Sequence, residues 1–191
     1  MTNRRTPSSV RPLDAPRRRR GLLPGPLRRS GAGGIPPYPA RRGGAPRVAI
    51  GADHGGFALK GRLLPFLQAK GIEVADLGTH SPRPCDYPMI GEKVALAVAQ
   101  GRFDRGVLLC KSGIGIAVVA NKVPGIRAAV CGDVFDAKRS RSHNDANVLV
   151  LGAEKLSDAR AKRIVERWLA TPFEAGGRHE RRVRQIAALE Q

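Results

Sequence analysis

The sequence predicts an α/β fold: a Rossmann-like three-layer α/β/α domain built on a five-stranded parallel sheet, preceded by a disordered basic tail. Three observations carry that prediction. Short, strongly apolar runs alternate with helical stretches from residue 47 to the C-terminus. Several of those runs end in glycine-rich turns. Finally, charge and proline are concentrated ahead of them. Of a formal net charge of +18 over 191 residues, +11 falls within residues 1–47, which also hold 9 of the 15 prolines. The domain boundaries are therefore read as 1–46 for the extension and 47–191 for the folded part.

In the extension, Arg17 to Arg20 are four consecutive like charges, and Pro24, Pro26, Pro36, Pro37, Pro39 and Pro46 leave no window for a helix. The plain reading is a solvated appendage. A tether to nucleic acid or another anionic surface, and an Arg-rich organellar transit peptide, are the alternatives. Because the charge belongs to this segment, the chain as a whole is not read as a nucleic-acid binder. No apolar run reaches the roughly 20 residues that a membrane-spanning helix needs. Three cysteines without a close pair (Cys85, Cys110, Cys131) argue against a disulfide scaffold and a four-cysteine zinc site, so a reducing cytoplasm is expected.

Val48-Ala49-Ile50 is a buried-type strand, followed by a glycine turn and a helical stretch that should kink near 61–65, because Pro65 lies inside it. Ile72 to Leu77 alternates as a strand. Ile90, Val94 and Val98 recur every four residues, as one helix face does. Gly106 to Leu109, Ile126 to Val130 and Val148 to Leu151 supply three further strands. Helices are expected near 115–121, 133–141 and 157–169. The last carries an apolar stripe of Ala161, Ile164, Val165, Trp168 and Leu169 behind a Ser157 N-cap. A final helix follows Gly176-Gly177, with Val183, Ile186 and Ala187 facing inward.

Open parallel sheets bind ligands beyond the carboxyl ends of their strands. After the first strand come Asp53 and His54 among glycines, which suit close approach by a polar ligand or an Asx turn capping a helix. After the third come Cys110-Lys111-Ser112-Gly113-Ile114-Gly115. Gly113 and Gly115 allow consecutive backbone N–H groups to converge on an anion at a helix start, where Lys111 would also favour a thiolate on Cys110. This is neither a Walker motif nor a dinucleotide fingerprint. His143-Asn144 puts a proton carrier and an amide near a sheet edge, although a structural turn uses Asn and Asp too. On the last helix, Arg178, His179 and Arg182 are spaced three and four apart and can crowd one face, as a phosphate monoester requires or as a solvated basic helix end would show.

Together, Gly51 to Gly56, Asp86-Tyr87-Pro88, Cys110 to Gly115, Ala120-Asn121-Lys122, Gly125-Ile126-Arg127, His143-Asn144 and Gly177-Arg178-His179 with Arg182 resemble the ribose-5-phosphate isomerase B and galactose-6-phosphate isomerase subunit family over about residues 47–190. The resemblance implies aldose–ketose isomerisation of a phosphorylated sugar through a cis-enediolate, with no metal and no cofactor. It makes Cys110 the base between C1 and C2; a second branch of the family carries a Glu at the place of Ile116 instead. Amides of residues 112–115, Gly113 and Gly115 among them, would hold the enediolate oxygen, and the Ser112 hydroxyl would assist proton movement. His143 with Asp53 would open the sugar ring, and Asn144 would bind substrate. His54, Arg178, His179 and Arg182 would bind phosphate, and Tyr87 would line the pocket. Homodimers or homotetramers with sites shared between subunits are implied.

Two positions depart from that pattern. Lys111 stands where many relatives have Gly, and Glu154 stands where relatives often have an Arg, so that an acid would face phosphate unless Lys155 compensates. Ribose 5-phosphate is the expected substrate, and six-carbon allose or galactose 6-phosphates are the alternative. A non-catalytic module that binds a phosphorylated metabolite is the rival from another class.

Overall fold

The computed structural model describes residues 46–190, so the expectation of a disordered tail lies outside the described residues. Strand β1 (Val48–Ala52) is flanked by β2 (Val74–Asp76) and β3 (Arg105–Cys110). Strand β3 pairs in turn with β5 (Val148–Gly152), which holds β4 (Ala128–Val130) at the far edge. The order is β2-β1-β3-β5-β4 and all four pairings are parallel. Parallel neighbours need crossovers, and helices provide them.

The helices are α1 (Phe57–Ala69), α2 (Tyr87–Ala99), α3 (Ile114–Ala120), α4 (Val134–Ser142), α5 (Asp158–Ala170) and α6 (Gly177–Ala187). Helix α1 runs on through Pro65. Two core clusters, one per face, follow the alternation of the strands. Val48, Ile50, Val107, Leu109, Leu149 and Leu151 pack with Leu59, Leu63 and Leu67 of α1 and with Ala161, Ile164, Val165 and Trp168 of α5. On the opposite face, Ala49, Leu108, Cys110, Val148 and Val150 pack with Val94 and Val98 of α2 and with Ile116 and Ala120 of α3. The expected α5 stripe is thus buried apart from Leu169, which is half-buried, and the Ser157 hydroxyl accepts from the Arg160 N–H. Among the described residues no helix is long and apolar enough to cross a membrane.

Three expectations need correction. Strands β2 and β4 each have three residues, where longer runs were expected at 72–77 and 126–130. Both lie at sheet edges. The Ile72 N–H turns back to Leu67 O, and the Ile126 N–H turns back to Val123 O, so neither is available to lengthen its strand. The third concerns α6, where only Val183 is buried. Ile186, expected inside, is 41% exposed, and Leu189 beyond it is 84% exposed.

Candidate active site

At the carboxyl edge of the sheet, β1 and β3 are adjacent and in register, with Ala52 opposite Leu109, so the segments that follow them emerge side by side. Asp53 is buried, and its Oδ1 accepts from the Gly56 N–H at 3.0 Å. The bond fixes the carboxylate in place, but it spans three residues where an Asx turn spans two, and α1 is capped at Gly56 without a side-chain hydrogen bond. His54 accepts the Cys85 N–H on Nδ1 at 3.3 Å, which leaves Nε2 as the proton-bearing nitrogen of the neutral ring. Tyr87 opens α2 against Gly115, where an added Cβ would come within 2.7 Å of the phenol ring. Only glycine at 115 lets that ring lie so close to the Cys110 loop.

Cys110 ends β3 and is 6% exposed. Its Sγ accepts the Gly113 N–H at 3.1 Å. Gly113 is the N-cap of α3 with φ of 82°, a left-handed turn that brings its amide back over the sulfur. The Ile114 N–H goes to Ser112 Oγ at 3.3 Å. Two of the expected anion-binding amides thus engage the Cys110 and Ser112 side chains of the same loop. Lys111 Nζ lies 3.8 Å from Glu154 Oε1, and the Glu154 N–H donates to Lys111 O at 3.2 Å. The cation facing Glu154 is thus Lys111, whereas Lys155 was the compensating residue considered from sequence.

The remaining expected residues gather at the other end of the sheet. Helix α4 runs back from the carboxyl edge of β4 to the amino edge of β5, and His143 is its C-cap. The ring of His143 stacks on that of His179, with centroids 4.0 Å apart and planes 8° from parallel. Arg178 and Arg182 lie in the same helix as His179. The His179 imidazole is held below its ordinary pKa, first by desolvation and then by the charges of His143, Arg178 and Arg182, with Glu174 opposing.

The loop carrying His143 and Asn144 is clamped. Asp145 has φ of 46°, uncommon for a residue with a side chain. Its carboxylate receives Arg141 at 2.7 Å and Arg127 at 2.8 Å. Arg127 Nε donates to Asn144 O and Asp145 O, each at 3.0 Å, and Arg141 donates to Ala146 O at 2.7 Å. Arg141 is 3% exposed, and burial lowers its pKa against the opposing pull of Asp145. An unpaired guanidinium there would cost several kcal/mol, so the carboxylate is what allows this turn to hold its shape.

One chain therefore brings together two half-sites. Asp53, His54, Tyr87, Cys110, Ser112, Gly113 and Gly115 share the carboxyl edge. His143, Asn144, Arg178, His179 and Arg182 share the amino edge. Cys110 pairs with Gly152, four residues beyond Val148, and His143 lies on the approach to Val148, so the strand run between the two edges is about 13 Å. Asp53 follows the carboxyl end of β1, whereas His143 ends α4 on the approach to the amino end of β5.

Sequence reasoning missed Glu174, whose carboxylate oxygen lies with the ring nitrogens of His143 and His179, all within 4.8 Å of one another. It also missed the Arg127–Asp145–Arg141 clamp. The signal for the clamp was the i, i+4 spacing of Arg141 and Asp145 across a helix end. No local spacing joins residue 174 to residue 143. Beside the Cys110 loop an open groove of about 490 Å³ is lined by Ile114, Ala117, Val118, Asn121, Lys122, Ala128 and Val130.

The family model described as Ribose/Galactose Isomerase matches residues 48–186. Ribose-5-phosphate isomerase B of Escherichia coli K12 is 48% identical over 145 residues, which are 76% of this chain and 97% of the relative. D-erythrulose-4-phosphate isomerase of Pectobacterium atrosepticum is 43% identical over 132 residues, 68% of this chain and 86% of the relative. The solved structure of Clostridium thermocellum ribose-5-phosphate isomerase B superposes with a TM-score of 0.74 at 49% identity, covering 75% of this chain and 97% of that one.

Proposed function

The chain belongs to the ribose/galactose isomerase family, and from that premise we propose that it is an aldose–ketose isomerase interconverting ribose 5-phosphate and ribulose 5-phosphate with Cys110 as the base. The observation that carries this reading is the Cys110 loop. A nearly buried sulfur at a strand end receives a backbone N–H, a donor suited to a sulfur that carries charge, with a hydroxyl two residues away. A packing cysteine needs neither.

In the forward direction the Cys110 thiolate removes the proton from C2 of the open-chain aldose. The C2–H electron pair becomes the C1=C2 double bond, and the carbonyl electrons move to O1 as an enediolate. N–H donors of the 112–115 turn stabilise that oxygen; with substrate bound, the Gly113 and Ile114 amides can be redirected from Sγ and Oγ toward it. The Ser112 hydroxyl relays the O2 proton to O1, O2 becomes the new carbonyl, and the thiol returns its proton to C1. In this reading the oxyanion is met by hydrogen bonds, and no metal enters any step.

Ring opening by His143 with Asp53, substrate contact by Asn144, and phosphate binding by His54 with Arg178, His179 and Arg182 require both half-sites at one substrate. Groups acting on neighbouring atoms must each reach hydrogen-bond distance, about 3 Å, and one chain keeps them far apart. We therefore assign the complete site to a homodimer, or a homotetramer of such dimers, with the amino-edge residues supplied by a second copy. Ile114, Val118 and Val130, 61%, 55% and 46% exposed around the open groove beside Cys110, support that assignment. The cytoplasm suits the three free cysteines, Cys85, Cys110 and Cys131.

The test is conversion of ribose 5-phosphate by the full chain in chelator, beside four- and six-carbon aldose phosphates. Cys110→Ala should lower kcat by about a hundred- to ten-thousandfold while the circular dichroism spectrum stays unchanged. A fully active Cys110→Ala protein would refute the base assignment. Turnover confined to a four- or six-carbon sugar would move the substrate and direct attention to the Lys111–Glu154 pair at the site's rim.

A further inference from the structure

We propose that His143, Glu174 and His179 form a binding site for one divalent transition-metal ion of the Zn²⁺ class, and that occupation of this site inhibits the enzyme. Two imidazole nitrogens and one carboxylate oxygen, one from each residue, lie within 4.8 Å of one another. Ligand atoms on one tetrahedral Zn²⁺, each about 2.0–2.1 Å from the metal, stand roughly 3.3 Å apart. Closing the cluster onto an ion therefore takes side-chain movements on the order of 1 Å and a splaying of the stacked rings.

The backbone carrying the ligands is already tied down. The His143 N–H donates to Arg139 O at 2.9 Å, and the Glu174 N–H donates to Ser142 O at 3.0 Å, directly beside His143. The Gly176 N–H donates to Glu180 Oε2 at 2.7 Å, which fixes the turn between Glu174 and His179. Three protein ligands leave a fourth position open to water, as in other accessible His/carboxylate sites.

The donor set decides the metal. Imidazole nitrogens suit Zn²⁺, Ni²⁺, Co²⁺ and Cu²⁺, whereas Mg²⁺ and Ca²⁺ require several oxygens. Glu174 is the single anion of the set, and Arg178 and Arg182 stand on the same helix as His179, so charge attraction contributes little and donor strength selects the ion. A metal on His143 occupies the lone pair that ring opening needs. That inhibitory half of the proposal rests on the role given to His143 above; the binding half does not.

The experiment uses the full chain. Co²⁺ is titrated and its visible d–d absorption followed, Zn²⁺ binding is measured by calorimetry, and turnover is measured with Zn²⁺ and again after chelator. Glu174 stands beside His143 and His179, so metal-free turnover of Glu174→Gln is measured first and serves as the baseline for that variant's own inhibition curve. We expect one ion per chain, tetrahedral-type Co²⁺ bands, and inhibition that chelator reverses, with both affinity and inhibition weakened about tenfold or more in Glu174→Gln. No binding, binding that Glu174→Gln leaves unchanged, or a sulfur-to-cobalt charge-transfer band pointing to Cys110 would overturn the site. Binding that Glu174→Gln weakens but that leaves wild-type turnover untouched would uphold the site and overturn the inhibition. A protein without any isomerase activity would overturn the functional reading, while the Co²⁺ titration would still decide the site.

Discussion

If each half-site is supplied by a different copy, as proposed, mixing two inactive variants should restore activity. In one variant Cys110→Ala removes the proposed base at the carboxyl edge; in the other His143→Ala removes the imidazole at the amino edge. Strand β5 holds these edges apart, since Cys110 is in register with Gly152 and His143 precedes Val148. Four strand steps give about 13 Å, several times the reach of a catalytic hydrogen bond. In a symmetric dimer each site takes Cys110 from one copy and His143 from the other. Random pairing of equal amounts makes about half of the dimers hybrid, and each hybrid has one site with both residues intact and one with neither. The mixture should therefore recover about one quarter of wild-type activity. The assay is co-expression with two affinity tags, sequential purification of hybrids, and turnover per chain, where purified hybrids should reach about half of the wild-type rate. If each chain housed its own complete site, every site in the mixture would carry one defect. Activity that stays at the sum of the two parents would refute the shared site and the topological argument behind it.

Removing one guanidinium of α6 by Arg178→Ala or Arg182→Ala should raise KM for the sugar phosphate by about tenfold or more and change kcat little; steady-state kinetics separates the two. Trp168 is fully buried in the α1–α5 face, so Trp168→Ala should cost about 3–5 kcal/mol in urea unfolding. Cys131 provides a pH signature: desolvation is the main cause that pushes its thiol from 9.0 up to about 11. Above pH 9 the unfolded chain releases this proton and the folded chain keeps it, so stability falls as pH rises from about 9 to 11, by about 2–3 kcal/mol in all. Cys131→Ala should flatten that part of the stability–pH curve; an unchanged slope would show that the thiol is not responsible.

The fold was legible because its strands are short apolar runs bounded by glycine, and α5 carries a strict apolar stripe. Strand length at the edges was not legible. Ile72 and Ile126 look like strand residues, but their N–H groups close turns with Leu67 and Val123, a competition that no alternation pattern records. The carboxyl-edge residues could be listed in advance because a parallel sheet places whatever follows a strand on one edge. His143, Asn144 and α6 precede or outlie the strands, and sequence order alone does not show that they belong to the opposite edge. Glu174 was invisible for a different reason, since its neighbourhood is made by a loop hydrogen bond to Ser142.

The same topology explains why α6 is so poorly buried. A helix that served only its own chain's core would present an apolar stripe inward, as α5 does through Ala161, Ile164, Val165 and Trp168. Helix α6 buries Val183 alone, turns Ile186 to solvent, and carries Arg178, His179 and Arg182 in its first two turns. Four arginines in a helix of 11 residues gain little from folding onto one domain. They gain much more if a phosphate dianion and a second copy's surface lie opposite. On that account the helix is ordered for its partner, and substrate phosphate, by neutralising Arg178 and Arg182 at the junction, should tighten the dimer as well as occupy the site. Sedimentation equilibrium of the full chain with and without inorganic phosphate measures this directly: dissociation should weaken with phosphate in the wild type, and in Arg178→Ala the effect should shrink. Phosphate-independent association in the wild type would leave the arginines to substrate alone.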